Sequence, residues 1–269
     1  VPFTSMGRKP QRWQINPTLV DPRWRWAWRG LIAAFPFWEP AGSVYSFGRG
    51  QLSGYLDRAG VSHAIGRYGH VIRGDGTRGH VHVNYTDWAD LSGHDEVSVI
   101  VAITPRDVAG GTQTLFRHAD ATDQFILRVN TTETYRLYIE TSAGSTEIKA
   151  PDYSAVNDVR QLVAGVYNGS TMKIYVDGID LVSTALTGNL VSDTSDFFIA
   201  GRDADRFFEG DVHAAYLYNR ALSVTELLQL TEDPFGPFRG LVRVRSKSTV
   251  VVTENINVKF PRHALQEIF

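Results

Sequence analysis

The sequence contains no cysteine and only two methionines. Without thiols there is no disulfide, no thiolate nucleophile and no Cys-based metal site. Packing alone must hold the fold, and an oxidising compartment is not required. Long apolar runs are missing too. The richest stretch, Leu31 to Trp38, is interrupted by Pro36 and falls well short of the roughly 18 residues of a membrane span. The opening VPFTSMGRKPQRWQINP lacks the unbroken apolar segment of a signal peptide. Helix signals are scarce. One capping box, Ser223-Val224-Thr225-Glu226, heads a helix of about two turns that runs to Thr231 and is stopped by Asp233-Pro234. There is no G-x-S-x-G elbow, and Gly74-Asp75-Gly76 is not followed by the G-K-[ST] of a phosphate loop. Thiol, serine-elbow and P-loop chemistries are therefore excluded.

What is present is strand patterning. The 269 residues are 43% apolar, which suits one large domain with appendages. The clearest segment is Arg160 to Leu186. Leu162, Ala164 and Val166 share one face of a first strand, and Asn168-Gly169 turns the chain. Met172, Ile174 and Val176 then share a face, with Lys173 and Tyr175 opposite. Asp177-Gly178 is a strong two-residue hairpin signal. This predicts an antiparallel meander with one buried and one wetter face. Val97, Val99, Val101 and Ile103 mark another strand. Further strands are expected at Leu31–Phe37, Val44 onward, Thr112–His118, Gln124–Asn130, Tyr135–Glu140, around Ile148, Asp196–Gly201 and Gly210–Tyr218. Residues 54–69 are polar and Gly-rich and read as a surface excursion. His70–Arg73 and His80–Tyr85 read as a hairpin across Gly74-Asp75-Gly76-Thr77. Residues 240–260 alternate with little turn chemistry and read as a long edge strand outside the domain, open to pairing with another chain. His263 to Phe269 reads as a terminal helical turn.

Charge is unevenly spread. The chain has 27 Lys and Arg against 29 Asp and Glu. Residues 1–30 carry six basic groups and one acid, and residues 234–269 carry six basic groups and two acids, leaving 15 basic and 26 acidic groups between them. Basic ends around an acidic middle suggest arms that lie on an acidic partner. The first arm also holds Trp13, Trp24, Trp26 and Trp28 among Arg12 and Arg23. Trp and Arg are the residues enriched in interface hot spots. Anchoring to another protein is the leading reading, ahead of folding back onto the domain, and stacking on nucleic acid comes last. Arg243 and Arg245 are the matching candidates in the second arm.

Several stretches resemble, in order, the laminin-G-like, concanavalin A-like jelly-roll superfamily. They are Leu31 to Glu39, Arg73-Gly74-Asp75-Gly76 ahead of Val81 and Val83, Val97 to Thr104, Tyr167 to Ser170 with Tyr175 to Gly178, and Phe198 to Gly201. The most specific is Phe208-Glu209-Gly210-Asp211-Val212 running through Leu217-Tyr218-Asn219-Arg220-Ala221-Leu222-Ser223. The resemblance covers about 31–233. It implies an all-β, two-sheet antiparallel jelly-roll sandwich with one short helix, flanked by arms at 1–30 and 234–269. The FPFWE opening and Asp233-Pro234-Phe235 are similar to jelly-roll proteins of tailed bacteriophages. That narrower likeness implies a virion component assembled in the host cytoplasm.

Catalysis finds little support. Jelly-roll hydrolases carry E-x-D-x-E or E-x-D-x-x-E, but Glu209-Gly210-Asp211-Val212-His213-Ala214 lacks the closing acid. Gly74 with His80 and His82 begins a cupin metal motif that has no third histidine, so these are read as polar-face residues of an ordinary strand. Some laminin-G-like members bind calcium at the rim. Asp203 and Asp205 are the candidate ligands here, weighed against plain turn residues. Trp88 and Tyr153 are the candidate glycan-stacking aromatics. The expectation is a non-enzymatic virion protein, a capsid decoration or surface subunit without a cofactor. Its partners would be copies of itself, proteins such as the major capsid protein and, on the adhesion alternative, host-surface glycans, with no membrane; nucleic acid ranks last. A glycan-binding adhesion module is the alternative, and a jelly-roll glycoside hydrolase stands behind it.

Overall fold

The computed structural model describes residues 21–49, 52–57, 59–67, 69–85, 91–119, 123–191, 195–202 and 205–238. The expected edge strand at 240–260 and the turn at 263–269 lie outside them. Among the described residues, two antiparallel sheets pack face to face as a jelly-roll sandwich, followed by one α-helix.

The first sheet runs β14 (Ile179–Ala185), β13 (Thr171–Val176), β12 (Gln161–Tyr167), β7 (Val97–Pro105), β16 (Glu209–Tyr218), β5 (Gly69–Asp75) and β4 (Val61–Gly66). β1 (Leu31–Phe35) pairs with the second half of β16. The second sheet runs β11 (Gly144–Lys149), β10 (Thr134–Thr141), β9 (Asp123–Asn130), β8 (Gln113–Ala119), β15 (Phe197–Ile199), β6 (His80–Val83), β3 (Ser53–Asp57) and β2 (Val44–Tyr45). The meander forms as its turns dictate. Asp177 and Gly178 both take positive φ, 51° and 78°, as a turn matched to strand twist requires.

Between the sheets lies the main core, which includes Val97, Val99, Val101 and Ile103 facing Phe125, Leu127, Leu137 and Ile139. At Gly165 the sheets come so close that a Cβ would sit 2.6 Å from Leu137 Cδ1. A side chain there would need the leucine to move.

Three expectations are corrected. Residues 54–69 are not an excursion but contribute β3 and β4, one to each sheet. β5 and β6 are not a hairpin, because the chain changes sheets between them. Asp75 Oδ1 accepts from the Thr77 amide and hydroxyl and the Arg78 amide, and this local turn carries the crossing. Finally, the meander's outer face is not wet at β12, which is buried along its whole length.

A second apolar layer explains that burial. The outer face of the first sheet presents Ile100, Ala102, Leu162, Ala164, Val166, Ala214, Tyr216 and Tyr218. Helix α1 (Val224–Glu232) lays Leu227 and Leu230 on it, and a 3-10 helix at Pro22–Trp28 adds Trp24 and Ala27. A 3-10 turn at Gly236–Phe238 completes the cover with Phe238. The predicted capping box is formed, with Ser223 and Glu226 bonding each other's backbone amides. Arg220 ties the layer together. Its guanidinium donates to Glu226 at 2.9 and 3.0 Å and to the Trp26 carbonyl at 3.2 Å, and its Nε donates to the Arg29 carbonyl at 2.7 Å. Partial burial pushes the Glu226 carboxyl up, but Arg220 and the Ser223 amide hold it below its ordinary value. Among the described residues no helix is long and apolar enough to cross a membrane.

Candidate functional site

The second apolar layer covers the middle of the first sheet, and the outer face of the second sheet carries an extended set of polar and aromatic groups. Seven of its eight strands place one residue each in a continuous cross-strand row. Tyr55 of β3 stands opposite His82 of β6, then come Phe198 of β15, Arg117 of β8, Ile126 of β9, Tyr138 of β10 and Glu147 of β11. Alternation puts their neighbours Val81, Val83, Phe197, Ile199, Phe125, Leu127, Leu137 and Ile139 in the core. The middle of the row is closed, with Phe198, Arg117 and Ile126 buried. The two ends differ chemically.

One end is aromatic. The Tyr55 ring stacks on His82 at 4.9 Å and 16° and is 43% exposed. Phe198 forms the floor, with His80 and His82 edge-on at 5.0 Å and the Arg117 guanidinium 5.8 Å from its centroid. His82 Nε2–H donates to Asp196 Oδ2 at 2.7 Å, and the Tyr85 amide donates to Oδ1 at 2.6 Å. This fixes the imidazole's orientation and leaves a planar stack beside a carboxylate. Tyr45, on the neighbouring edge strand, is also exposed.

The other end is basic. Arg136 of β10 stands directly opposite both Arg128 of β9 and Lys149 of β11. Arg128 and Arg136 share the Glu147 carboxylate. Lys149 pairs with Asp152 at 2.6 Å.

The residues singled out from sequence are scattered. Trp24 is buried in the second apolar layer, and Trp26 and Trp28 pack against it. Trp26 Nε1–H donates to Gln229 Oε1 at 2.6 Å, and the Trp28 ring meets Phe238 edge-on at 5.9 Å. Arg23 pairs with Asp21 at the surface. These tryptophans fold back onto their own domain instead of extending from it as an arm. Arg12, Trp13, Trp88, Asp203, Arg243 and Arg245 lie outside the described residues. Tyr153 is 75% exposed, on the loop after β11, next to Asp152. Its amide donates to the Thr132 carbonyl at 3.4 Å. Sequence reasoning misses Tyr55 and His82 as a pair, because they lie on different strands and the local pattern joins His82 only to His80.

Asp205 lies at the rim, in a cleft of about 300 Å³ that Asp107, Gln113 and Glu209 also line. Its carboxylate is held by Arg202 and faces Arg206, so a cation there would meet two like charges. Among the described residues no group of three or more His, Asp or Glu could hold a metal ion. Asp211 is engaged elsewhere. It accepts from Arg73 Nε at 2.7 Å and Nη2 at 2.9 Å, and from Arg106 Nη2 at 3.2 Å. Beside it, His213 Nε2 meets the Thr104 hydroxyl at 2.9 Å. Burial pushes the imidazole down to about 4 despite Asp211.

A sequence profile of the concanavalin A-like lectin/glucanases superfamily matches residues 75–228. No curated protein matches the sequence. Several solved structures share the fold. The binding domain of Paraclostridial mosquitocidal protein 1 aligns with a TM-score of 0.61 at 14% identity, over 77% of this chain and 52% of its own. Domain 4 of an extracellular arabinanase from Geobacillus stearothermophilus, solved with arabinotriose, aligns at 0.57 and 15% identity, over 75% and 98%. The receptor binding domain of a botulinum neurotoxin C/D mosaic aligns at 0.61 and 13%, over 76% and 51%. The chain thus spans about half the length of the two toxin domains.

Proposed function

This chain belongs to the concanavalin A-like lectin/glucanase superfamily, and from that premise we propose that it is a non-enzymatic glycan-binding module. The binding face is the outer surface of the second sheet at Tyr55, His82 and Asp196. The observation that carries this reading is the exposed Tyr55 ring stacked on His82, with Asp196 hydrogen-bonded to the imidazole. A sugar ring has an apolar C–H face and polar edges. An aromatic platform beside a fixed carboxylate matches both, as binding sites combine apolar area with a few placed polar groups. The arabinanase domain solved with arabinotriose is consistent with this reading.

What supports the non-enzymatic reading is Asp211. Glycoside hydrolysis uses two carboxyl groups flanking the scissile bond. Asp211 is neutralised by two guanidiniums, and its partner on the strand, Glu209, lines the rim cleft. Calcium is not required in this reading.

The test is a glycan array with the full chain and with Tyr55→Ala. Saccharide signals that fall at least tenfold in the variant, with an unchanged melting temperature, support the assignment. An intact chain that binds no saccharide ends it.

The charge split between ends and middle favours a second, compatible reading. The module would be carried on a bacteriophage virion as a surface subunit, assembled in the host cytoplasm, with residues 1–20 and 239–269 contacting capsid protein or neighbouring copies. Removing residues 1–20 should then prevent incorporation into particles while leaving saccharide binding intact. Normal incorporation of the shortened chain would count against it.

A further inference from the structure

Resting on the glycan-binding reading, we infer that the ligand is an anionic glycan whose acidic group is held at the basic end of the row, by Arg128 and Arg136. The arrangement of charge there is costly. Arg128, Arg136 and Lys149 occupy directly opposed positions on three adjacent strands. Like charges directly opposite one another destabilise a sheet. Here one carboxylate, Glu147, serves two guanidiniums, and Asp152 is paired with Lys149. Three basic groups against these two acids leave the cluster net positive.

The donors are also under-used. A guanidinium offers five N–H groups in a fixed fork. Arg128 reaches Glu147 through Nη2, and Arg136 reaches it through Nη1. The Nε–H of each is buried and finds no acceptor among the described residues. The side chains are 18% and 28% exposed, so a ligand meets them through their solvent-facing N–H groups and not through the buried Nε. Paired guanidiniums recognise carboxylate and sulfate through parallel charge-assisted bonds. Tyr138, in the row between Ile126 and Glu147, supplies an aromatic ring next to the charges.

A ligand that touches both ends must be longer than one sugar residue. Tyr55 and Tyr138 are five strands apart, roughly 24 Å at about 4.8 Å per strand. An oligosaccharide reaching both ends would pass over the buried middle.

The experiment is an array of three glycan classes: neutral, carboxylated with uronate or sialate, and sulfated. It is read with the full chain, Arg136→Gln, Arg128→Gln and Tyr55→Ala. Each variant's melting temperature is checked alongside. The expected result is that acidic glycans outbind neutral ones at least tenfold, and that Arg136→Gln removes this preference while Tyr55→Ala lowers binding to every class. The carboxylated and sulfated arms identify the acidic group. Equal or better binding of neutral glycans, or an acidic preference that survives both arginine variants, overturns the inference and leaves the glycan-binding reading standing. Absence of signal in all three classes overturns that reading itself. Should Arg136→Gln fail to fold, Arg128→Gln carries the test: loss of the acidic preference in it supports the inference and its persistence overturns it.

Discussion

Replacing Trp24 with alanine should destabilise the whole domain, although the residue sits in a segment that reads from sequence as an arm. The indole is 7% exposed. It fills the space over Gly236 so closely that a Cβ on that glycine would lie 1.9 Å from Trp24 Cζ2. Around it stand Trp26 at 5.9 Å and the apolar layer of Ala27, Tyr216, Leu227 and Phe238. Truncating a buried tryptophan removes its transfer free energy and leaves a cavity, at a cost of about 3–5 kcal/mol. For a domain of this size each kcal/mol lowers the melting temperature by roughly 2–4 °C, so a fall of about 10 °C is expected. The assay is thermal and urea unfolding followed by near-UV circular dichroism. The urea midpoint should drop with an unchanged slope, because the same surface is exposed on unfolding. Arg23→Ala, a neighbour whose side chain is 77% exposed, is the control and should leave the midpoint where it was. If Trp24→Ala also leaves it unchanged, or melts a small unit ahead of the rest, residues 22–28 are a separable arm and do not belong to the layer that covers the first sheet.

The remaining predictions concern pH and close packing. His213 is neutral in the fold, with burial pushing it down to about 4, whereas it titrates near 6.5 when unfolded. Between those values the unfolded chain binds a proton that the folded chain refuses, so stability rises with pH across that window and is lost as pH falls, by on the order of 3 kcal/mol in total. Urea midpoints measured from pH 4 to 7 should therefore fall more steeply on acidification in the native protein than in His213→Gln; parallel curves would refute this. Gly165→Ala should cost about 1–3 kcal/mol through overpacking against Leu137. The same change in a Leu137→Ala background should cost less, since the two sites share one space; strict additivity in urea unfolding would contradict the contact.

Which parts of the fold are legible in advance follows from the range of the interactions involved. The meander, the Asp177-Gly178 turn and the Ser223–Glu226 cap are local. Their alternation, turn residues and spacing lie within a few positions of each other, and the structure reproduces them. Residues 54–69 look like a loop because glycines that permit close backbone approach resemble loop composition. Gly54 lies so close to β6 that a Cβ would sit 2.7 Å from the His82 carbonyl oxygen. Composition cannot distinguish a glycine that frees a loop from one that admits a neighbouring strand.

The candidate site is the least legible part. Tyr55, His82, Phe198 and Tyr138 come from four segments spread over more than a hundred residues, and no local pattern joins them. Only the strand order of the second sheet brings them into one row. The tryptophans of residues 22–28 show the converse. Their residue type suits an interface, and it does serve one, but within the chain, because α1 and the Gly236–Phe238 turn arrive beside them after the last strand.

The sequence alone determined the all-β class, the Arg160–Leu186 meander, the capped helix after the last strand and the exclusion of thiol and phosphate-loop chemistry, because these depend on residue type and near-neighbour spacing. Tertiary structure decided which face of which sheet is covered, where the aromatics and arginines meet, and which acids are already neutralised. Those depend on strands distant in sequence being hydrogen-bonded side by side, and cross-strand register is a property of the assembled sheet.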